Sequence, residues 1–493
     1  MGWKLEMPIP ELISTPERML QVCRQIKDTG ICALDTETTG LNVMKDIILF
    51  WSLCPNLNER FCLTRDMIPI FEQEVSRNPN IIWIMTKANY DTNILVNSGV
   101  PTMAGPVHCT LVMDWLHNEN RLGRHGLKET ALDHLGLNMR QFKSVFKKRA
   151  KETYQDTLLR MWDQERDNAI DYASMDAWSS LAVWRYLKKK LMDEPTVGGI
   201  NLWDIFVNIE VPYTKVLHNC IRRGIMVDVG YLEDRKAPID ADLKKLARNI
   251  NKIVGREINP LSPKELQKIF FEELGYTPVK YTSGGQSGNR RPSLDESTLK
   301  VFSSQGDPLS NLILDYRGLN KTKSTYIDGM IKYCDSHYRI HPTLNQHIVV
   351  TGRLSSVNPS LLNLPRPDED EYQIRGAFMP DSDYTIVAGD YKQVEMRLLA
   401  VFANDKKMQE VIKNGWDIHM GTASIMFGVP YEEIVKAKKA ASKLEKDKTP
   451  REKWPERIKE LMGYRQTSKT IGFGQQRGRK ETCSKRGNLS AAA

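Results

Sequence analysis

The stretch Thr385-Ile386-Val387-Ala388-Gly389-Asp390-Tyr391-Lys392-Gln393-Val394-Glu395-Met396-Arg397 decides how this chain is read. The apolar run Ile386 to Ala388 predicts a buried strand with Asp390 at its mouth and Glu395 five residues further on. A carboxylate presented at a strand end is a ligand for a hard divalent cation such as magnesium. Upstream lies TGRLSSVNPSLLNLP, Thr351 to Pro365, which is rich in turn-forming residues and carries Arg353 and Asn363.

Composition sets the frame around these blocks. A chain of 493 residues buries several cores, so two to four domains are expected. A net charge of +9 and an isoelectric point near 8.9 favour a polyanionic partner such as nucleic acid. The eight cysteines include no CxxC pair, and Cys32, Cys54, Cys62 and Cys109 sit in apolar runs. They read as small buried thiols of a reducing compartment and exclude a disulfide framework or a zinc ribbon. No apolar run reaches membrane-spanning length, and Pro8, Pro10 and Glu11 interrupt the place of a signal peptide. A soluble cytoplasmic protein with no membrane partner is expected.

The amino-terminal part alternates strand-sized apolar runs with helical patterns, as a mixed α/β domain does. Ile31 to Leu34, Ile47 to Leu53 and Ile81 to Met85 are strand candidates, and Asn168 to Leu191 has helical spacing. Asp35 and Glu37 follow the first strand two residues apart, so both carboxylates emerge on one face. Two carboxylates held close repel unless a cation lies between them. Asp91 follows the third strand at the start of a helix, where helix capping is the alternative reading. Tyr172 and Asp176 lie four apart on the Asn168 to Leu191 helix and share a face.

Further along, Asp193 to Gly199 reads as a linker and Trp203 to Tyr338 as mostly helical. The Gly- and Ser-rich stretch Tyr281 to Pro292 is either a plain loop or a tip that touches a phosphate backbone. Arg339 to about Val387 reads as strand-rich, and the chain is helical again after Ala400. The lysine-rich run Lys436 to Lys459 reads as a solvated charged helix, with a DNA-contact patch as the other reading.

Taken together, Thr351 to Pro365 and the Asp390 block resemble the palm of a family-A DNA polymerase of the bacterial DNA polymerase I type, a magnesium-dependent nucleotidyl transferase. Asp35, Glu37, Asp91 and Asp176 with Tyr172 resemble the proofreading 3'–5' exonucleases, whose signature is four acidic residues and a tyrosine. The resemblance implies a multidomain α/β and α+β chain: a ribonuclease H-like exonuclease followed by a partial right-hand polymerase. The expected divisions are exonuclease 1–195, thumb-like helices 196–338, partial palm 339–404, partial fingers 405–478 and a tail 479–493 outside the family pattern.

The same resemblance assigns roles. In the exonuclease, the four carboxylates would hold two Mg2+ or Mn2+ ions about 4 Å apart. One ion would activate the attacking water, the other would stabilise the leaving 3' oxygen, and Tyr172 would orient the water. In the polymerase, Asp390 and the carbonyl of Tyr391 would hold metal, and Glu395 would exclude the ribose 2'-hydroxyl. Arg353 would check base pairing from the minor groove, with Asn363 and Arg375 beside the primer-template. His419, in Asp417-Ile418-His419, would contact the incoming deoxynucleoside triphosphate. Arg465, Lys469 and Phe473, spaced by four, would grip that triphosphate and stack on its base. The implied partners are DNA primer-template, single-stranded 3' ends and deoxynucleotides, in a replication role with phage-type organisation inside a bacterial or phage-infected cell.

Three departures from the family pattern stand out. Lys87 replaces the usual Asn before Asp91, Lys392 replaces the usual Ser after Tyr391, and Arg477 stands where a Tyr follows Phe473. The later His-Asp-Glu block, which supplies the second polymerase carboxylate, is not found, and one carboxylate does not hold two metals for in-line attack. The expectation is a chain deficient in primer extension by itself. A frameshifted frame, an interrupted gene and a split polymerase completed by a second chain all fit. A free-standing 3'–5' exonuclease and a non-catalytic primer-template binding fragment are the alternative functions.

Overall fold

The structure, a computed structural model, describes residues 5–121, 123–282, 290–366, 370–391, 393–447 and 453–476. It divides into two compact units, 1–385 and 386–493. The tail 479–493, Lys392 and the tip 283–289 lie outside the described residues.

The first unit begins with a six-stranded mixed sheet: β1 (Glu11–Ile13), β2 (Ile31–Thr38), β3 (Ile48–Cys54), β4 (Phe61–Thr64), β5 (Ile82–Met85) and β6 (Val107–Cys109), in the order β1-β4-β3-β2-β5-β6. β2 runs antiparallel to β3 and parallel to β5, so it sits where the sheet changes sense, as in a ribonuclease H-like fold. The short strands β1, β4 and β6 are not apparent in the sequence pattern, because three or four residues carry too little alternation. β2 also continues past Leu34, so Asp35 and Glu37 lie within the strand and pair with Ser52 and Phe50.

Local chemistry explains the flanking helices. The helix Pro16–Thr29 starts on Thr15, whose hydroxyl accepts from Arg18 N, and stops at Gly30 in the left-handed region, φ 66°. Its buried residues Met19, Val22, Cys23 and Ile26 fall at helical spacing on one face. The long helix Arg166–Asp193 packs on β2 and β3 and buries Ala173, Ala177, Trp178 and Leu181. Three polar ties fix its position. Ser52 Oγ donates to Ala173 O at 2.9 Å and Trp178 Nε1 to Leu57 O at 2.9 Å. Arg60, almost wholly buried, donates to Pro8 O, to Asp171 O and Oδ1, and to Ser174 Oγ.

Residues 202–379 add two smaller apolar cores. One gathers Ile239, Tyr326, Ile327, Met330, Ile340 and Ile374; the other gathers Ile250, Leu266, Phe270, Leu299, Phe302 and Ile313. Residues 203–338 are mostly helical as expected, with one exception. Ile225–Val227 forms β7, the centre of a three-stranded sheet with β8 (Arg339–Ile340) and β11 (Phe378–Met379). Gly224 at φ 62° ends the preceding helix and lets this short run pair with strands more than a hundred residues away. A second pair joins β9 (Thr343–Asn345) to β10 (Ser355–Val357).

The expected strand-rich run to Val387 is only partly formed. Ile386, Val387 and Ala388 form no strand, and Ile386 and Val387 are 54% and 87% exposed. Asp390 therefore does not stand at the mouth of a buried strand. A strand persists only when neighbours take up its N–H and C=O groups, and among the described residues none pairs with 386–388. The second unit is otherwise helical, with helices Val394–Phe402, Lys406–Lys413, Ile418–Phe427, Tyr431–Lys446 and Glu456–Gln476. Asp405 and Asp417 cap two of them, and Met420, Ala423, Ile434 and Leu461 form the core. Val394, Leu398, Val401 and Phe402 share one face of the first helix and are exposed.

The Arg60 clamp yields a direct expectation. Arg60→Leu removes the cation but leaves Asp171 with Arg140 at 3.2 Å. The loss should therefore fall somewhat below that of a fully stranded buried charge, at about 2–4 kcal/mol. Urea unfolding followed by tryptophan fluorescence measures it, and a loss under about 1 kcal/mol would contradict the clamp.

Candidate active site

β2 brings Asp35 and Glu37 to one face, and the helix Arg166–Asp193 crosses that face with Asp176. One ligand oxygen from each of Asp35, Glu37 and Asp176 lies within 4.8 Å of the others. The register shifts between Glu37 and Thr38, which ends the regular pairing beside the cluster. Asp91, on the helix Ala88–Asn97, lies outside this trio. Its carboxylate accepts from the Thr36 hydroxyl at 2.7 Å. Tyr172 stands one turn before Asp176 on the same helix.

Burial dominates the electrostatics. It pushes the Asp35 carboxyl well above the usual range, helped by the charges of Asp176, Asp91 and Glu37. Glu37 is pushed up to about 8 by burial and then by Asp176, with the Tyr154 hydroxyl and Lys128 opposing. Asp91 rises to about 7 through burial, against the Thr36 hydrogen bond and Lys87. Asp176 rises to about 6 through burial, against Lys128. Buried carboxylates this close need protons or a cation between them. Asp176 Oδ1 is buried with no hydrogen-bond partner, as a ligand atom awaiting a cation would be. The donor set is all oxygen and suits Mg2+ or Mn2+.

Two residues that sequence reading passed over touch this cluster. Tyr154, at the start of the helix Tyr154–Gln164, donates from its hydroxyl to Glu37 Oε2 at 3.2 Å and stacks on Phe142. Lys128, on the helix Leu127–Leu135, donates to Tyr172 Oη at 3.0 Å and to Arg140 O at 2.7 Å. Both reach the site across more than a hundred or several tens of residues, and no spacing rule links them to it. Aromatic stacking under Thr153-x-x-Asp156, a capping-box pattern, was the one local signal for Tyr154.

The segment carrying Lys128 is itself anchored. Asp114 is wholly buried and accepts from His125 Nδ1 and His134 Nε2, both at 2.7 Å, and from Arg121. Burial works against its charge, but the two histidines and the guanidinium hold the carboxyl below the usual range.

The polymerase-type residues are less gathered. Arg353, Asn363 and Arg375 are exposed in the first unit. Asn363 Nδ2 donates to Ser360 Oγ at 2.7 Å, and Arg375 Nε to Pro365 O at 2.8 Å. In the second unit Asp390, Tyr391 and Glu395 are exposed, while His419 is buried with its carbonyl accepting from Ser468 Oγ at 3.0 Å. Arg465 Nη2 lies 4.0 Å from Asp417 Oδ2. Lys469 and Phe473 fall in the helix Glu456–Gln476, but their side chains lie outside the described part.

The raised carboxyls couple stability to pH. Each binds its proton more tightly in the fold than in the unfolded chain, where ordinary values of 3.8 and 4.5 apply. Between those values and about 6 to 8 the fold carries protons that the unfolded chain has lost, so stability falls as pH rises. A bound divalent cation takes their place, so its stabilisation grows with pH. In chelator, the melting temperature should fall from about pH 5 to about pH 8, and Mg2+ or Mn2+ should restore it most at the upper end. Asp35→Asn with Asp176→Asn should flatten both trends. A melting temperature in chelator that climbs over this range would contradict the arrangement.

Residues 10–192 match the family model described as 3'-5' exonuclease, and residues 229–444 match that of DNA polymerase family A. DNA polymerase I of Pseudomonas aeruginosa is 28% identical over 431 residues, which cover 83% of this chain and 45% of that protein. DNA polymerase I of Bacillus subtilis is 35% identical over 260 residues, 52% of this chain and 28% of that protein. The chain thus spans less than half the length of these relatives. The POL domain of Pol1 from M. smegmatis, solved with DNA primer-template and dNTP, superposes with a TM-score of 0.70 at 22% identity, over 95% of this chain and 71% of that one. That likeness is one of fold. The chain thus carries a match to the 3'-5' exonuclease family ahead of a match to DNA polymerase family A.

Proposed function

We propose that this chain is a 3'–5' exonuclease joined to the primer-template-binding part of a DNA-directed DNA polymerase, acting in DNA replication. The observation that carries the reading is the convergence of Asp35, Glu37 and Asp176, with Asp176 Oδ1 buried and unpaired. Asp35, Glu37 and Asp176, together with Asp91, would hold two Mg2+ or Mn2+ ions. When bound, divalent cations there supply Lewis acidity to the attacking water and to the leaving 3' oxygen. Tyr172 orients the water through its hydroxyl. Tyr154 fixes the rotamer of Glu37, which otherwise turns away from its negative neighbours.

In the polymerase segment we assign Asp390 and the Tyr391 carbonyl to metal, and Glu395 to excluding the 2'-hydroxyl. His419, Arg465, Lys469 and Phe473 are assigned to the deoxynucleoside triphosphate, and Arg353, Asn363 and Arg375 to the primer-template. The domain divisions follow those expected above: exonuclease to 195, thumb to 338, palm to 404 and fingers to 478. The exposed face of Val394, Leu398, Val401 and Phe402 supports a further polymerase element docking there, supplied in cis or by a second chain. The setting that fits is the cytoplasm of a bacterial or phage-infected cell.

With a 5'-labelled primer-template and Mg2+, and without deoxynucleotides, the chain should shorten the primer from its 3' end. Asp35→Ala should abolish shortening, a loss of at least about 10³-fold, and leave duplex binding intact. Persistent shortening in that variant would end the exonuclease assignment. Tyr154→Phe should slow shortening by roughly 3- to 30-fold and weaken Mn2+ binding, because Glu37 loses its orienting donor. Unchanged Mn2+ affinity would remove Tyr154 from the site.

A further inference from the structure

The cluster of Asp35, Glu37 and Asp176 faces a cation that nothing in the motif pattern announces. Lys128 Nζ lies 3.0 Å from Tyr172 Oη, 2.7 Å from Arg140 O and 4.7 Å from the centre of the Tyr172 ring. The ammonium is thus fixed by two acceptors and by the ring face, and it has little freedom to swing away. Its charge reaches Asp35, Glu37 and Asp176, opposing in each the effect of burial.

Resting on the exonuclease reading, we infer that Lys128 is a positioning residue for the hydrolysis, holding the Tyr172 hydroxyl and offsetting the charge of the carboxylates. A phenol has one proton, and its oxygen already accepts from Lys128. The O–H is therefore turned away from the ammonium and is available to the attacking water. Without Lys128 the hydroxyl rotates freely and can donate to the nearest carboxylate instead. The charge has a separate effect. A fixed ammonium beside a cation site weakens cation binding, so the arrangement spends metal affinity to hold Tyr172. The wholly buried Asp114, with His125 and His134, holds the entry to the Lys128 helix and keeps the ammonium in place.

This predicts opposite movements in two measurements on the full chain. In Lys128→Met, kcat for trimming a 5'-labelled single strand should fall roughly 10- to 100-fold, with KM changed less than about 3-fold. Mn2+ binding, read by electron paramagnetic resonance without DNA, should tighten by about 3-fold or more. Lys128→Arg should restore the parent Mn2+ affinity. Lys128→Gln keeps a donor without charge, so it should bind Mn2+ more tightly while losing less rate, and it serves also if the Met variant does not fold. Weaker Mn2+ binding together with slower trimming would mean that Lys128 only props the scaffold and would overturn the inference, as would an unchanged kcat. A parent chain that trims no 3' end would overturn the exonuclease reading itself, while the Mn2+ comparison would still test the charge effect of Lys128.

Discussion

The first unit is organised around a repulsion. Asp35, Glu37 and Asp176 sit together, Glu37 buried and the other two partly so, an arrangement that burial and like charge both oppose. It persists because stronger constraints on either side leave the three side chains nowhere else to go. β2 is locked between an antiparallel and a parallel neighbour, so its alternation sends Asp35 and Glu37 to one face. The crossing helix is tied by Ser52, Trp178 and the Arg60 guanidinium at the very turns that carry Tyr172 and Asp176. The apolar sheet and the clamps hold the cluster, and near neutral pH the cluster works against the stability of the metal-free fold.

Much of this was legible in the sequence. Strand alternation places Asp35 with Glu37, and helical spacing places Tyr172 with Asp176, because each pair is local. Asp91 was equally visible, but the structure sets it outside the trio, bonded to Thr36, a contact between a strand and a helix that no spacing encodes. Lys128 and Tyr154 were not visible. Each lies in a helix that begins in a loop-rich stretch, and each meets the carboxylates only through the tertiary fold. Neighbouring signals, a Gly before Leu127 and a capping box at Thr153, announce helices without saying what those helices face.

The palm motif shows the opposite failure. Ile386 to Ala388 has the composition of a buried strand, and composition is a statement about what a run would do beside partners. Among the described residues no partner lies alongside, and the run stays exposed. The helices after it needed no such help. Asp405 and Asp417 cap their own N-termini, so the local code was sufficient there. Local satisfaction of backbone groups separates the parts that sequence reading recovers from those it does not.

The face formed by Val394, Leu398, Val401 and Phe402 carries a practical consequence. Four bulky side chains at helical spacing, open to solvent, make an adhesive stripe that water does not wet. Handled as a free polypeptide, the chain is expected to self-associate as its concentration rises and to be retained on phenyl resins. Its solution behaviour is then set by a helix remote in sequence from the carboxylates of β2.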